Sequence, residues 1–317
     1  METKTPSTIP SSTIPPDLEQ CVTSRGRQAA TRQRPWLNVA LLLATLVTTV
    51  WAGAAYQGVN LWRHPEMWIA GLPYAVGVLL ILGVHEMGHY LAARHHGVRV
   101  SLPYFIPMPF SLGTLGAFVR IDEGPRERRK IFDIAVAGPL AGLAASLGVL
   151  VVGLRWGSVP STAPSLGASS SFLVELLARG VGSHASGPSA HSLVFAGSLG
   201  LMITAFNLLP VGQLDGGHMA RALFGERSAM WIARVTYGIM LLLGVFTWHG
   251  FLLWALIAFA LGGEAPGNDP DEDASRGPLP DVTRYAVGLV SFALVALLLF
   301  PLRGATASVL AGGCPWL

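Results

Sequence analysis

Cysteine is nearly absent: the 317 residues hold two, Cys21 and Cys314, one in each tail. That placement offers neither a disulfide framework nor a thiolate metal site, so any metal must be held by nitrogen and oxygen. Charge is scarce as well, at 12% Asp, Glu, Lys and Arg against 51% hydrophobic residues. So little polar surface cannot coat a soluble globule of this length. The first 35 residues also lack the early apolar core of a cleavable signal peptide; they are rich in Ser, Thr, Pro and Arg and too polar to bury a core of their own. The expectation is a disordered tail over residues 1–35, followed by a polytopic membrane protein.

Apolar runs long enough to cross a bilayer occupy residues 36–56, 68–92, 131–153, 192–211 and 283–301. A further run, 230–262, is too long for one crossing, and Trp248-His249-Gly250 within it reads as a turn between two shorter helices. The expected fold is all-α and polytopic, with about six to seven transmembrane helices. Residues 98–121, with Pro103, Pro107, Pro109, Gly113 and Gly116 among β-branched and aromatic residues, are poor helix material. Extended backbone at membrane depth survives only where protein or water satisfies its amides, so this stretch reads as a membrane-embedded re-entrant β-hairpin, with an ordinary loop as the alternative.

The arginines before Trp36, the basic run Arg126 to Lys130, and Arg221 with Arg227 all fall on one side if the spans alternate, which places the N-terminus in the cytoplasm. The Gly/Ser/Pro-rich stretch 154–191 then lies outside, where Phe172 to Ala178 is a candidate surface helix, and the acidic loop 263–281 lies inside. This gives a transmembrane domain over 36–262 with its core at about 68–225, then the acidic loop, then a C-terminal span and tail over 282–317. The basic run is an anchor at an anionic membrane face; nucleic-acid binding is not expected.

Chemistry concentrates in His85-Glu86-Met87-Gly88-His89, near the end of the second span. Four-residue spacing on a helix stacks the two imidazoles on one face, one turn apart, where they can share a metal ion. Glu86 projects beside that position, where a general base must sit to take a proton from water. This is the HExxH pattern. Three ionisable residues inside a span cost at least about 2–3 kcal/mol each unless paired or metal-bound, so a site is the default inference. Catalytic zinc commonly has three protein ligands and an open position. The best third candidate is Asp215, in Asn207-Leu208-Leu209-Pro210-Val211-Gly212-Gln213-Leu214-Asp215-Gly216-Gly217-His218 at the inner end of the fourth span. Pro210 and Gly212 break the helix and Gly216-Gly217 permit close approach. His218 is a rival ligand, and Asp215 as a plain helix cap is the bland alternative.

Together, HEMGH on one span and NLLPVGQLDGG on another resemble the site-2 protease family of intramembrane metalloproteases, and the similarity extends over about residues 70–225, including Leu102 to Ile121 and Ala137-Gly138-Pro139. The resemblance implies His85, His89 and Asp215 as ligands of one Zn2+, Glu86 as catalytic base, and Asn207 as a contact to the substrate backbone near the scissile bond. It implies hydrolysis of peptide bonds in or near transmembrane segments of membrane-protein substrates, within a lipid bilayer that is bacterial and innermost. The outer segment is too short for the peptide-binding PDZ domain of one branch of that family.

The competing readings are weaker. A serine protease using Ser198 with His249 leaves His85, Glu86 and His89 unexplained, and an aspartyl protease lacks a second Asp deep in a span, Asp133 standing at a span end. A non-catalytic zinc-binding scaffold or a metal transporter has no use for Glu86 and would close its site with a fourth protein ligand. Gly138 and Gly142 read as close helix packing, His95 and His96 as the cationic end of the motif helix, and Asp133 has no evident partner. The oligomeric state leaves no trace in the sequence.

Overall fold

The computed structural model describes residues 35–110, 112–121, 127–156, 177, 180, 188–246, 251–252, 255–256, 258–259 and 280–299. The expected N-terminal tail, the acidic loop, the surface helix at 172–178 and the turn at 248–250 lie outside or almost outside the described residues. Helix α1 (Pro35–Tyr56) leads through a 3-10 turn (Pro65–Gly71) into α2 (Leu72–His95). A two-stranded antiparallel hairpin follows, β1 (Tyr104–Pro107) and β2 (Thr114–Phe118), and then α3 (Arg128–Trp156), α4 (Pro188–Asn207), the short α5 (Asp215–Phe224), α6 (Glu226–Phe246) and α7 (Val282–Leu299).

Among the described residues, four helical stretches are long and apolar enough to cross a membrane: Pro35–Tyr56, Pro65–His95, Arg128–Arg155 and Glu226–Phe246. Ser192–Asn207 and Val282–Val295 are shorter apolar helices. Large side chains such as Val39, Leu43 and Val47 on α1, and Trp231, Val235, Leu242 and Phe246 on α6, are exposed, the outward apolar faces that a lipid environment accommodates and water does not. Among the described residues the chain is thus mostly helical, a membrane protein with a small two-stranded sheet.

Two of the four apolar clusters among the described residues flank the site. One joins α1, α2, the hairpin, α3 and α4 around Tyr74, Val78, Ile81, Phe105 and Ala196. The other joins α3 to α7 around Phe132, Phe206, Leu208, Met219 and Leu223. The candidate metal ligands described below come from both sides, His85 and His89 from α2 and Asp215 from α5.

The hairpin is held by side chains rather than by a larger sheet. Asn38 Nδ2 on α1 donates to the carbonyls of Leu102 at 3.1 Å and Pro103 at 2.8 Å. Thr48 Oγ1 donates to Gly113 O at 2.6 Å, and Tyr74 Oη on α2 donates to Leu112 O at 2.9 Å. The carbonyls of Leu102, Pro103 and Leu112, which the ribbon itself leaves open, are therefore satisfied by side chains of the flanking helices. Gly113, with φ +80° and a Cβ position 2.6 Å from Thr49 Cα, permits the tip to lie against α1. The register shifts between Ile106 and Pro107, opposite Gly116 and Thr114, leaving Leu115 as the unpaired bulge residue.

Candidate metal centre

α2 runs unbroken through the HExxH pentad, with Pro73 in its first turn and Arg94 and His95 in its last, as the unsatisfied ends of a helix prefer. His85, Glu86 and His89 are all buried. The two imidazoles share a face, with Nε2 atoms 3.2 Å apart. His89 Nδ1 donates to Ile134 O at 2.8 Å, which fixes the tautomer and leaves Nε2 as a lone-pair donor toward a metal. Ile134 lies in the turn of α3 before Pro139, which has no amide to give the carbonyl four residues earlier and so loosens that turn.

α3 approaches α2 through glycines. A Cβ at Gly138 would fall 2.1 Å from His89 Nε2, and one at Gly142 would fall 2.8 Å from His85 Nδ1. On α2 itself, a Cβ at Gly88 would lie 2.6 Å from Ala137 O. The Gly138–Gly142 pair does serve close packing, but what packs against it is the pair of imidazoles.

α4 ends at Asn207 and the chain reverses through Leu208-Leu209-Pro210-Val211-Gly212. Gly212 adopts φ +51°, and Cβ atoms at Gly216 and Gly217 would lie 2.2 Å from Leu208 O and 2.4 Å from Gly212 O, so only glycine fits this turn. The reversal delivers Asp215 as the first residue of α5. The residue at the cap position is Leu214, so Asp215 is not the helix cap. Its carboxylate turns to the histidines instead: Oδ2 lies 3.4 Å from His85 Nε2 and 3.3 Å from His89 Nε2. The N-terminus of α5 favours negative charge at that position.

His85, His89 and Asp215 form, among the described residues, a group able to hold a metal ion. A tetrahedral ion with bonds of about 2.0–2.1 Å separates its ligands by about 3.3 Å. The edges of this triangle are 3.2, 3.3 and 3.4 Å, so the donor set and its spacing both fit one ion with a fourth position open. His218, the rival ligand, is engaged elsewhere: Arg221 Nη2 lies 2.9 Å from its Nδ1, while Arg221 Nη1 donates to Gly212 O at 2.8 Å. Burial first, and then the Arg221 guanidinium, hold the His218 imidazole down at about 4, so it stays neutral at ordinary pH.

Asn207 Nδ2 stands 3.3 Å from His85 Nε2, at the rim of the triangle. The Glu86 carboxylate lies among His85, His89 and Asp215 and beside the backbone amide of Val119, just past β2. The structure thus brings together all five residues singled out from the sequence. Ser198 has a buried hydroxyl with no hydrogen-bond partner, so no base activates it among the described residues. Asp133 is bonded by Arg284 Nε and Nη2 and by His96, partners that sequence reading did not find.

The peptidase family M50 model matches residues 73–251, more than half of the chain. The probable zinc metalloprotease EGY1, chloroplastic, of Oryza sativa subsp. japonica is 39% identical over 245 residues, covering 74% of this chain and 41% of its own length. Its Arabidopsis thaliana counterpart is 41% identical over 197 residues, 59% of this chain and 36% of its own length. The probable zinc metalloprotease EGY2, chloroplastic, of Arabidopsis thaliana is 31% identical over 246 residues, 73% of this chain and 42% of its own length. The chain spans about two-fifths of the length of these relatives.

Proposed function

This chain belongs to peptidase family M50, and from that premise we propose that it is a zinc-dependent metalloendopeptidase that hydrolyses peptide bonds in or near transmembrane segments of membrane-protein substrates. The observation that carries the reading is the His85–His89–Asp215 triangle with Glu86 beside it on a membrane-spanning helix. Two imidazoles and one carboxylate with an open fourth position make a catalytic donor set, and relatives named zinc metalloproteases make Zn2+ the metal. Bound there, the ion would supply Lewis acidity toward a carbonyl and lower the pKa of a neighbouring water toward neutrality.

The rest of the chemistry falls to the chain. Glu86 takes the proton of the attacking water and returns it to the leaving nitrogen. Asn207, at the rim, donates its amide N–H to the substrate carbonyl oxygen as charge develops there. His218 is turned toward Arg221 and is not assigned that role. A peptide bond inside a substrate helix is shielded by its own hydrogen bonds, so the substrate must unwind first. The re-entrant hairpin offers β2 as an edge for the unwound strand, since β1 is covered by α1 and β2 leads to Val119 beside Glu86.

On this reading the protease domain spans about 36–262 with its core at 68–225; six spans arise if α4 and α7 also cross, and seven if the run 230–262 crosses twice. The basic segments favour a cytoplasmic N-terminus. The relatives are named chloroplastic and come from plants, which gives the expected bacterial inner membrane no support; an integral membrane location is what the reading keeps.

The test is cleavage of a single-span reporter by purified protein, wild type against Glu86→Gln, with bound zinc assayed in both. Retained zinc with cleavage reduced by about two to four orders of magnitude supports the reading. Zinc binding by both with no cleavage by either favours a zinc-holding scaffold or metal transporter.

A further inference from the structure

We propose that Arg284 and Tyr285, adjacent on α7, are positioning residues that brace the metal centre from both sides, Arg284 through Asp133 on α3 and Tyr285 through Leu223 on α5. Both lie beyond the segment matched by the family model, which ends at residue 251.

The Arg284 side reaches His89. Arg284 Nε donates to Asp133 Oδ1 at 2.8 Å and Nη2 to Oδ2 at 2.7 Å, the forked pairing that fixes direction as well as distance. Asp133 precedes Ile134, whose carbonyl receives the His89 Nδ1 proton at 2.8 Å. His96, at the end of the motif helix, places Nε2 3.1 Å from Asp133 Oδ2, so the same carboxylate also ties α2 to α3. Asp281 completes the cluster, 2.6 Å from Arg284 Nη1 and 2.7 Å from Arg129 Nη2. Asp133 and Arg284 side chains are about a quarter exposed, 25% and 26%, so the pair is partly screened and its value lies in geometry more than in energy.

The Tyr285 side reaches Asp215. Tyr285 Oη donates to Leu223 O at 2.8 Å, one of the last carbonyls of α5, which have no partner within their own helix. Gly288, one turn on, lets α7 lie close there, since a Cβ would fall 2.4 Å from Leu223 Cδ1. α5 is ten residues long with Asp215 first, a rod of about 15 Å, so fixing its last turn fixes the angle at which Asp215 meets the histidines. Metal–ligand distances tolerate only about 0.2 Å. Two adjacent side chains of α7 thus set the separation between the helix that seats His89 and the helix that carries Asp215.

This rests on the reading of His85, His89 and Asp215 as ligands, and the experiment separates the two. The 317-residue chain in detergent is compared as wild type, Arg284→Gln and Tyr285→Phe. Zinc affinity is measured by chelator competition, and the visible spectrum is recorded with Co2+ in place of zinc. Each single variant is expected to weaken zinc binding by about five- to tenfold, below the 10–100-fold of a direct partner, and to shift the cobalt bands. Tyr285→Phe removes one oxygen and carries the test where Arg284→Gln fails to fold. Lowered melting temperature with unchanged cobalt bands, or zinc affinity within about twofold of wild type in both single variants, overturns the brace alone. A wild-type protein that binds no zinc overturns the ligand reading beneath it.

Discussion

Gly138→Ala adds one methyl group on α3 and should empty the metal site. The new Cβ would fall 2.1 Å from His89 Nε2 and 2.5 Å from both Cδ2 and Cε1. Ordinary contact needs about 3.5 Å, so the ring must retreat by about 1.4 Å. Neither escape is open. The ring is held at Nδ1 by Ile134 O at 2.8 Å, and the helices are already at close approach on the other side, where a Cβ at Gly88 would meet Ala137 O at 2.6 Å. A ligand atom displaced by more than about 1 Å is lost to a site that tolerates about 0.2 Å. Zinc affinity, measured by chelator competition on detergent-purified protein, should fall by at least about 100-fold, beyond the upper range for perturbing a ligand's partner. Gly142→Ala, whose nearest contact is 2.8 Å from His85 Nδ1, should be milder, and Gly148→Ala on the same helix, with nothing within 4 Å, should be neutral. Zinc binding by Gly138→Ala within about threefold of wild type would refute the idea that the glycine face of α3 seats the imidazole.

Asp215→Asn keeps the shape of the side chain but removes the anionic donor, and should abolish stoichiometric zinc by elemental analysis while leaving the helical circular-dichroism signal intact. Asn207→Ala should retain zinc and lose about 10²–10³-fold in kcat, the scale of one lost oxyanion donor; unchanged turnover would remove Asn207 from the chemistry. Leu115→Pro deletes an amide at the bulge residue, which has no β1 partner. It should lower kcat/KM roughly tenfold, the value of one or two hydrogen bonds to an added strand, with zinc unchanged. Equal cleavage by that variant would exclude edge pairing at β2.

The local parts of this site are legible in the sequence because their geometry is local. His85 and His89 meet because a helix turn is about four residues, and the reversal to Asp215 is announced by Pro210, Gly212 and Gly216. The hairpin is legible for the same reason, its prolines and glycines being incompatible with a helix in 98–121. Choosing between Asp215 and His218 is another matter, because both lie on α5 within one turn; the Asp215 carboxylate at 3.3–3.4 Å from both histidines and Arg221 against His218 separate them only in the fold. The partner of Asp133 is out of reach altogether: Arg284 is 151 residues away, and no periodicity connects two charges that meet only when α3 and α7 pack. The spacing of Gly138 and Gly142 announces a packing face without saying what it faces.

The division of the proposed ligands between α2 and α5 bears on how the protein comes into being. His85, Glu86 and His89 emerge from the ribosome well before Asp215, and at about 5–20 residues per second the interval is roughly 6–25 s. During that time the chain would offer only two of the three proposed donors. On the proposed function, a chain in that state would hold Glu86 without the full donor set and would have no peptidase competence. Competence would arrive only when the second half docks, and synthesis itself would act as the safety catch.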